Sequence, residues 1–164
     1  VAATAEDAQS AFQDVINWGI LPGLVLGVLN YLFFFRYRYS PFVAPRIRDM
    51  ENVYDAFLLS LDSGLIEETF FRLFVLSSML FMFQHLYQKI KAIWPTLVFV
   101  LPRAIALVLS SLLFALAHNI YGFTAAFCGG LILGFIYLGG GIESSIAAHF
   151  AANFLFYTMS YVLP

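Results

Sequence analysis

Five apolar runs limit what this chain can fold into. They cover residues 18–35, 53–83, 96–118, 121–138 and 142–163. Each is near or above the length of about 20 apolar residues that carries a helix across a bilayer. The expected fold is therefore all-α, a polytopic transmembrane helical bundle of about five spans in one domain-sized chain. Composition agrees. Of 164 residues 62% are hydrophobic and 11% are charged, against about a quarter charged in soluble domains. Nineteen Phe and nine Tyr suit lipid-facing and interfacial positions. A net charge of −2 supplies no basic field for nucleic acid.

The runs divide the chain. Residues 1–17 are polar and acidic, and read as a tail or surface helix. Residues 18–52 hold the first span and a basic loop with Arg36, Arg38, Arg46 and Arg48. The positive-inside rule puts that loop in the cytoplasm; strict alternation then puts Lys89 and Lys91 outside, which runs against the rule. The run 53–83 is too long for one upright span, so Asp55 and Asp62 are expected at an interface or in a water-accessible region. Gly139, Gly140 and Gly141 break the chain before the last run. Gly130 and Gly134, four apart, suit close helix packing. Cys128 is the single cysteine and forms no internal disulfide; a small residue between helices explains it best.

Charges inside the second run, "LIEETFFRLFV", are the exception to this pattern. An acidic or basic residue at a span centre costs about 2.5–3.5 kcal/mol, so Glu67, Glu68 and Arg72 together cost roughly 8–10 kcal/mol unpaired. Partners or a wet cavity are required. Glu68 and Arg72 stand at i, i+4, with the acid on the N-terminal side, and can neutralise each other. Glu67 points about 100° away on the helix and is left over. A leftover intramembrane carboxylate marks a functional site, whereas both glutamates sharing Arg72 would mark helix packing alone.

Two later segments add polar groups. "FALAHN" carries His118 one turn after Phe114. "HFAANF" carries His149 and Asn153 on one helix face. Each of these also has a plain reading as an interhelical hydrogen bond. His85 falls in a connection and reads as a surface residue. Glu143 follows the glycine break, where it favours a helix dipole. One carboxylate, two imidazoles and a carboxamide suffice for a hydrolytic site. The carboxylate takes a proton from water, one imidazole holds that water, and the remaining pair donates hydrogen bonds to an oxyanion.

The residues that carry this chemistry also carry a resemblance. "EETFFR", "FALAH" and "HFAAN" match, in order, the EExxxR, FxxxH and HxxxN motifs of the CAAX protease and bacteriocin-processing family. The chain resembles that family over residues 53–163, about two thirds of its length, and residues 53–164 would form the protease core. The resemblance implies a glutamate-dependent intramembrane endopeptidase with no cofactor and no metal. Glu67 would be the catalytic glutamate, aided by His118. His149 and Asn153 would stabilise the oxyanion. Glu68 and Arg72 would support them. The implied partners are the lipid bilayer and a peptide or membrane-anchored protein substrate, with the cell membrane as the expected location. Glu143 has no counterpart in the family pattern.

Other readings stay open at this level. Glu67, His118 and His149 are plausible zinc ligands, though no H-E-x-x-H motif is present. Ser63 with a histidine would make a serine protease, and Cys128 a cysteine nucleophile; neither has a supporting motif. A non-catalytic membrane protein of the same fold, an immunity factor or a scaffold, would use the polar residues to bind a partner or ion.

Overall fold

A computed structural model describes residues 5–35, 47, 49–87, 95–118, 120 and 122–163. Every regular element among them is helical. The basic-loop residues Arg36, Arg38, Arg46 and Arg48, together with Lys89, Lys91 and the first residue of the fourth run, lie outside the described residues, and the expected side of the loop with them.

The N-terminal helix begins at α1 (Ala5–Asp14) and continues through a π-helical stretch, Val15–Ile20, into α2 (Leu21–Asn30) and a second π-helical stretch, Tyr31–Phe35. The joints at Asp14, Leu21 and Tyr31 all keep right-handed helical angles, so the polar start and the apolar run form one helix. Pro22 accounts for the first widening. It has no N–H for the carbonyl one turn back and its ring crowds that carbonyl, and a wider preceding turn relieves both.

Helix α3 (Val53–Glu68) starts at a capping box. The Asn52 side chain accepts from the Tyr54 amide at 2.8 Å. Asp55 accepts from the amides of Asn52 at 3.1 Å and Glu51 at 2.7 Å. This is why Asp55 opens an apolar run: it satisfies the amides of the N-cap residue and the residue before it, which have no helical partner. A π-helical stretch, Thr69–Leu76, leads into α4 (Ser77–Tyr87), and α5 (Pro95–Leu116) follows.

The last element, α6 (Phe123–Val162), is interrupted at Gly141, where φ is +81° and ψ −177°. A side chain tolerates that backbone region poorly, so glycine is required there. The chain folds back at this point. Ser145 Oγ donates to the Leu133 carbonyl at 3.1 Å, although an unbroken helix would separate residues twelve apart by about 18 Å. The expected fourth and fifth runs are therefore the two arms of one bent element. The first arm packs on α5, with Gly130 against Ser111 and Phe114, and Gly134 against Leu107. The second arm packs on α3 and on the N-terminal helix.

The exterior is apolar where a water-soluble bundle is polar, and the interior holds charged and hydroxyl groups beside its apolar clusters. Phe81, Ile120, Phe33 and Phe135 are exposed, as are many Leu and Val side chains. Fully buried positions include Glu68, Arg72, Ser60, Ser110, Ser111, Ser144 and Ser145. Several of these serines bond back to the preceding turn: Ser60 to the Ala56 carbonyl at 2.6 Å, Ser111 to Leu107 at 2.7 Å and Ser144 to Gly140 at 2.8 Å. Small self-satisfied side chains let membrane helices approach closely. Two helices among the described residues are long and apolar enough to cross a membrane, Gln9–Phe33 and Phe123–Val162. Of the five spans expected, the last two share the second of these helices. Helix α5 runs for 22 residues, Pro95–Leu116, with Pro102 inside it. The helix from residue 53 carries Asp55, Asp62, Glu67, Glu68 and Arg72.

Candidate active site

Three nitrogen and oxygen atoms from three helical segments converge. Glu67, in the last turn of α3, places Oε2 3.9 Å from His118 Nε2 and 3.9 Å from His149 Nε2. Among the described residues that oxygen has no hydrogen-bond partner, although it is buried. Separations of 3.9 Å exceed a hydrogen bond, and catalytic contacts commonly tighten only when substrate binds.

Each histidine is held by its other nitrogen. His118 stands two residues past the end of α5. Its amide bonds to the Ala115 carbonyl at 3.1 Å, three residues back, so the Phe114 carbonyl is left without its usual partner. His118 Nδ1 takes that carbonyl at 2.8 Å. A carbonyl only accepts, so Nδ1 carries the hydrogen and, in the neutral ring, Nε2 presents a lone pair toward Glu67. His149, on the second arm of α6, has its Nδ1 2.9 Å from Glu68 Oε1. Its Nε2 likewise faces Glu67.

Glu68 is the buried hub of this arrangement. It accepts from His149 and from Ser145 Oγ, whose one hydrogen is shared between Glu68 and the Leu133 carbonyl, and Arg72 Nε lies 3.2 Å from its Oε2 with both side chains fully buried. The i, i+4 pairing expected of Glu68 and Arg72 is present, and no ion pair joins Arg72 to Glu67 among the described residues. Arg72 also lies 4.8 Å over the Phe114 ring, an arrangement that favours a cation. The same ring is 4.7 Å from the His118 ring, 6.0 Å from that of His149 and 5.1 Å from Phe71. Phe114 thus neighbours the arginine and both imidazoles.

The site opens on one side. Side-chain exposure falls from 36% at His118 to 29% at Glu67, 9% at His149 and zero at Glu68 and Arg72. His118, two residues past the end of α5, and Glu67, in the last turn of α3, are the two more exposed members of the cluster. Asn153 is half-buried one turn beyond His149. The structure gives it no side-chain hydrogen bond among the described residues. Ser63 is half-buried and Cys128 exposed, and neither meets an imidazole. His85 is exposed on α4, and Glu143 is exposed just past the bend.

Two residues escaped the sequence reading of the site. Ser145 stands four before His149, and that spacing was the available signal for a shared face. Phe114 was visible as the first letter of its motif, but its contacts with Arg72 and both rings come from tertiary packing. No group of three His, Cys, Asp or Glu among the described residues is arranged to hold a metal ion.

The fold and the cluster together define an all-helical protein of membrane type with two carboxylates and two imidazoles gathered in one largely buried polar centre. Residues 49–155 match the family described as type II CAAX prenyl endopeptidase Rce1-like. The match spans well over half of the chain, and the chain belongs to that family, whose proteases act on a peptide or protein substrate. A search of curated proteins found no match, and none of the solved structures matched either.

Proposed function

We propose that the protein is an intramembrane endopeptidase in which Glu67 and His118 activate water, and His149 and Asn153 stabilise the oxyanion. The observation that carries the proposal is the shared focus of Glu67 Oε2, His118 Nε2 and His149 Nε2, each imidazole being held by a second bond through Nδ1. Such preorganisation is what a hydrolytic site requires, because donors and acceptors aimed in advance need no rearrangement as charge develops.

In this mechanism a water bonds to Glu67 Oε2 and to the lone pair of His118 Nε2. Glu67 takes its proton as the oxygen attacks the peptide carbonyl carbon. The carbonyl oxygen becomes an oxyanion. His149, carrying both ring hydrogens, donates Nδ1–H to Glu68 and Nε2–H to that oxyanion, and the Asn153 amide donates from one turn further along. As the tetrahedral intermediate collapses, the Glu67 carboxyl returns its proton to the leaving nitrogen. The products are a carboxylic acid and an amine, and no covalent enzyme intermediate forms. Arg72 holds Glu68, which holds His149. The substrate is a peptide or membrane-anchored protein that reaches the opening from the membrane or its surface, and the location is the cell membrane.

The test is cleavage of a panel of quenched fluorescent peptides, prenylated and unprenylated, by purified protein in detergent. Wild type should cleave at least one, with no effect of chelator. Glu67→Gln should lose at least about a thousandfold in kcat, and His149→Ala about 100- to 1,000-fold, the usual cost of a lost oxyanion donor, with helical circular dichroism unchanged. Full activity in Glu67→Gln would refute the mechanism. Chelator-dependent activity would replace it with the zinc reading, and a retained membrane phenotype without cleavage would favour an immunity factor or scaffold.

A further inference from the structure

Residues 5–35 lie outside the family match, yet they press on the arm that carries His149. Gly19, Gly23 and Gly27 recur every four residues and share one face of the N-terminal helix. They abut Ser144, Ala148 and Ala152 respectively. The next residue in each case belongs to the site: Ser145, His149 and Asn153. Two stripes therefore run side by side along the second arm of α6, one facing the N-terminal helix and one facing the carboxylates.

The approach is tighter than side chains permit. A Cβ on Gly23 would lie 2.8 Å from Ala148 Cα and 2.9 Å from Ala151 Cβ, with the Ala148 carbonyl oxygen nearer still. On Gly27 it would lie 2.7 Å from the Ala152 oxygen, and on Gly19 2.8 Å from that of Ser144. These are backbone neighbours that cannot swing aside. A second contact fixes the same arm at its start: Trp18 covers the bend, so that a Cβ on Gly140 would meet Trp18 Cβ at 2.8 Å, and its ring lies 6.3 Å from that of Phe135. Across the arm, Gly64 of α3 faces Ile146 and Phe150, and Glu68 holds Ser145 and His149. At 100° per residue the two sets of contacts centre about 150° apart. The arm is gripped from opposite sides.

We propose that the N-terminal helix is a positioning element, whose glycine face sets the depth and register of His149 opposite Glu67 and Glu68. The proposal rests on the endopeptidase reading of the site. A methyl group at Gly23 forces the helices apart by more than half an ångström, about the tolerance of a catalytic constellation, and a misplacement of about 1 Å costs roughly 100-fold.

The experiment combines kinetics with nitrogen resonances of the three histidines in 15N-histidine-labelled protein in micelles. Gly23→Ala should lower kcat about 10- to 100-fold with KM within about twofold, since an interaction made in the transition state is lost rather than binding. It should shift the His149 ring signals and leave those of His118, on a segment the N-terminal helix does not grip. Gly19→Ala and Gly27→Ala should act in the same direction, and they carry the test if Gly23→Ala does not fold. Val25→Ala, on the exposed face of the same helix, should change nothing. Unmoved His149 signals in the folded glycine variants would overturn the proposal. Should wild type cleave no peptide, the endopeptidase reading fails by itself, while the histidine signals still decide whether this helix positions His149.

Discussion

Adjacent glutamates with opposite roles should give opposite losses, and Glu68→Gln against Glu67→Gln is the comparison that separates them. Glu68 is fully buried with three partners, Arg72, His149 and Ser145. Glutamine keeps its shape and removes its charge. The Arg72 guanidinium then remains buried beside Phe114 without its ion-pair partner, and the Glu67 carboxylate acts on it only from beyond ion-pair distance. Breaking a buried pair by removing one partner costs about 3–5 kcal/mol, a large share of the roughly 5–15 kcal/mol that holds a domain together. Glu67 has no such bond to lose. Its Oε2 is buried and unbonded, so Glu67→Gln should change stability by less than about 1 kcal/mol. The assay is reversible unfolding in mixed micelles, followed by circular dichroism across a titration of denaturing detergent. Glu68→Gln should unfold far earlier than wild type, and Glu67→Gln alongside it. Equal stability of Glu68→Gln and wild type, or equal destabilisation of the two variants, would refute the assignment of structural and reactive carboxylates.

Two further substitutions probe the surroundings of that pair. Ser145→Ala removes a buried hydroxyl that ties Glu68 to the Leu133 carbonyl and should cost about 1–3 kcal/mol and lower kcat with little change in KM; Ser145→Thr should recover much of both, and a neutral Ser145→Ala in the same unfolding and cleavage assays would count against the network. Gly141→Ala places a side chain at φ +81° and should lose about 1–3 kcal/mol, read from the same unfolding titration; unchanged stability would mean that the bend has another conformation.

The sequence reached the helices and part of the site by separate routes. Apolar runs indicated helices because lipid-facing faces need little else, and the break at Gly139–Gly141 was visible in three consecutive glycines. That the two arms fold back on each other was not, because the Ser145–Leu133 bond depends on the backbone angle at Gly141. Glu68 and Arg72 could be paired from spacing alone, since both lie on one helix. Their other partners could not: His149 and Ser145 stand 81 and 77 positions away, and only packing selects them. Glu67 was correctly left without the arginine by helix geometry, whereas its meeting with His118 and His149 was implied by the motif resemblance and by no local pattern. Asp55, expected at an interface or in a water-accessible region, also caps its helix, a role legible in Asn52 three residues earlier. The glycines of "WGILPGLVLG" were open to reading and passed over, because their meaning lies in the facing helix.

In the proposed mechanism Glu67 and His118 act on one shared water. The most direct measurement is kcat/KM for Glu67→Gln, His118→Ala and the double variant on a peptide that wild type cleaves. Groups that act as a unit are strongly non-additive, so the double variant should lose no more than about threefold beyond Glu67→Gln alone. Losses that multiply would mean that the two residues act independently, and the shared-water account would be wrong.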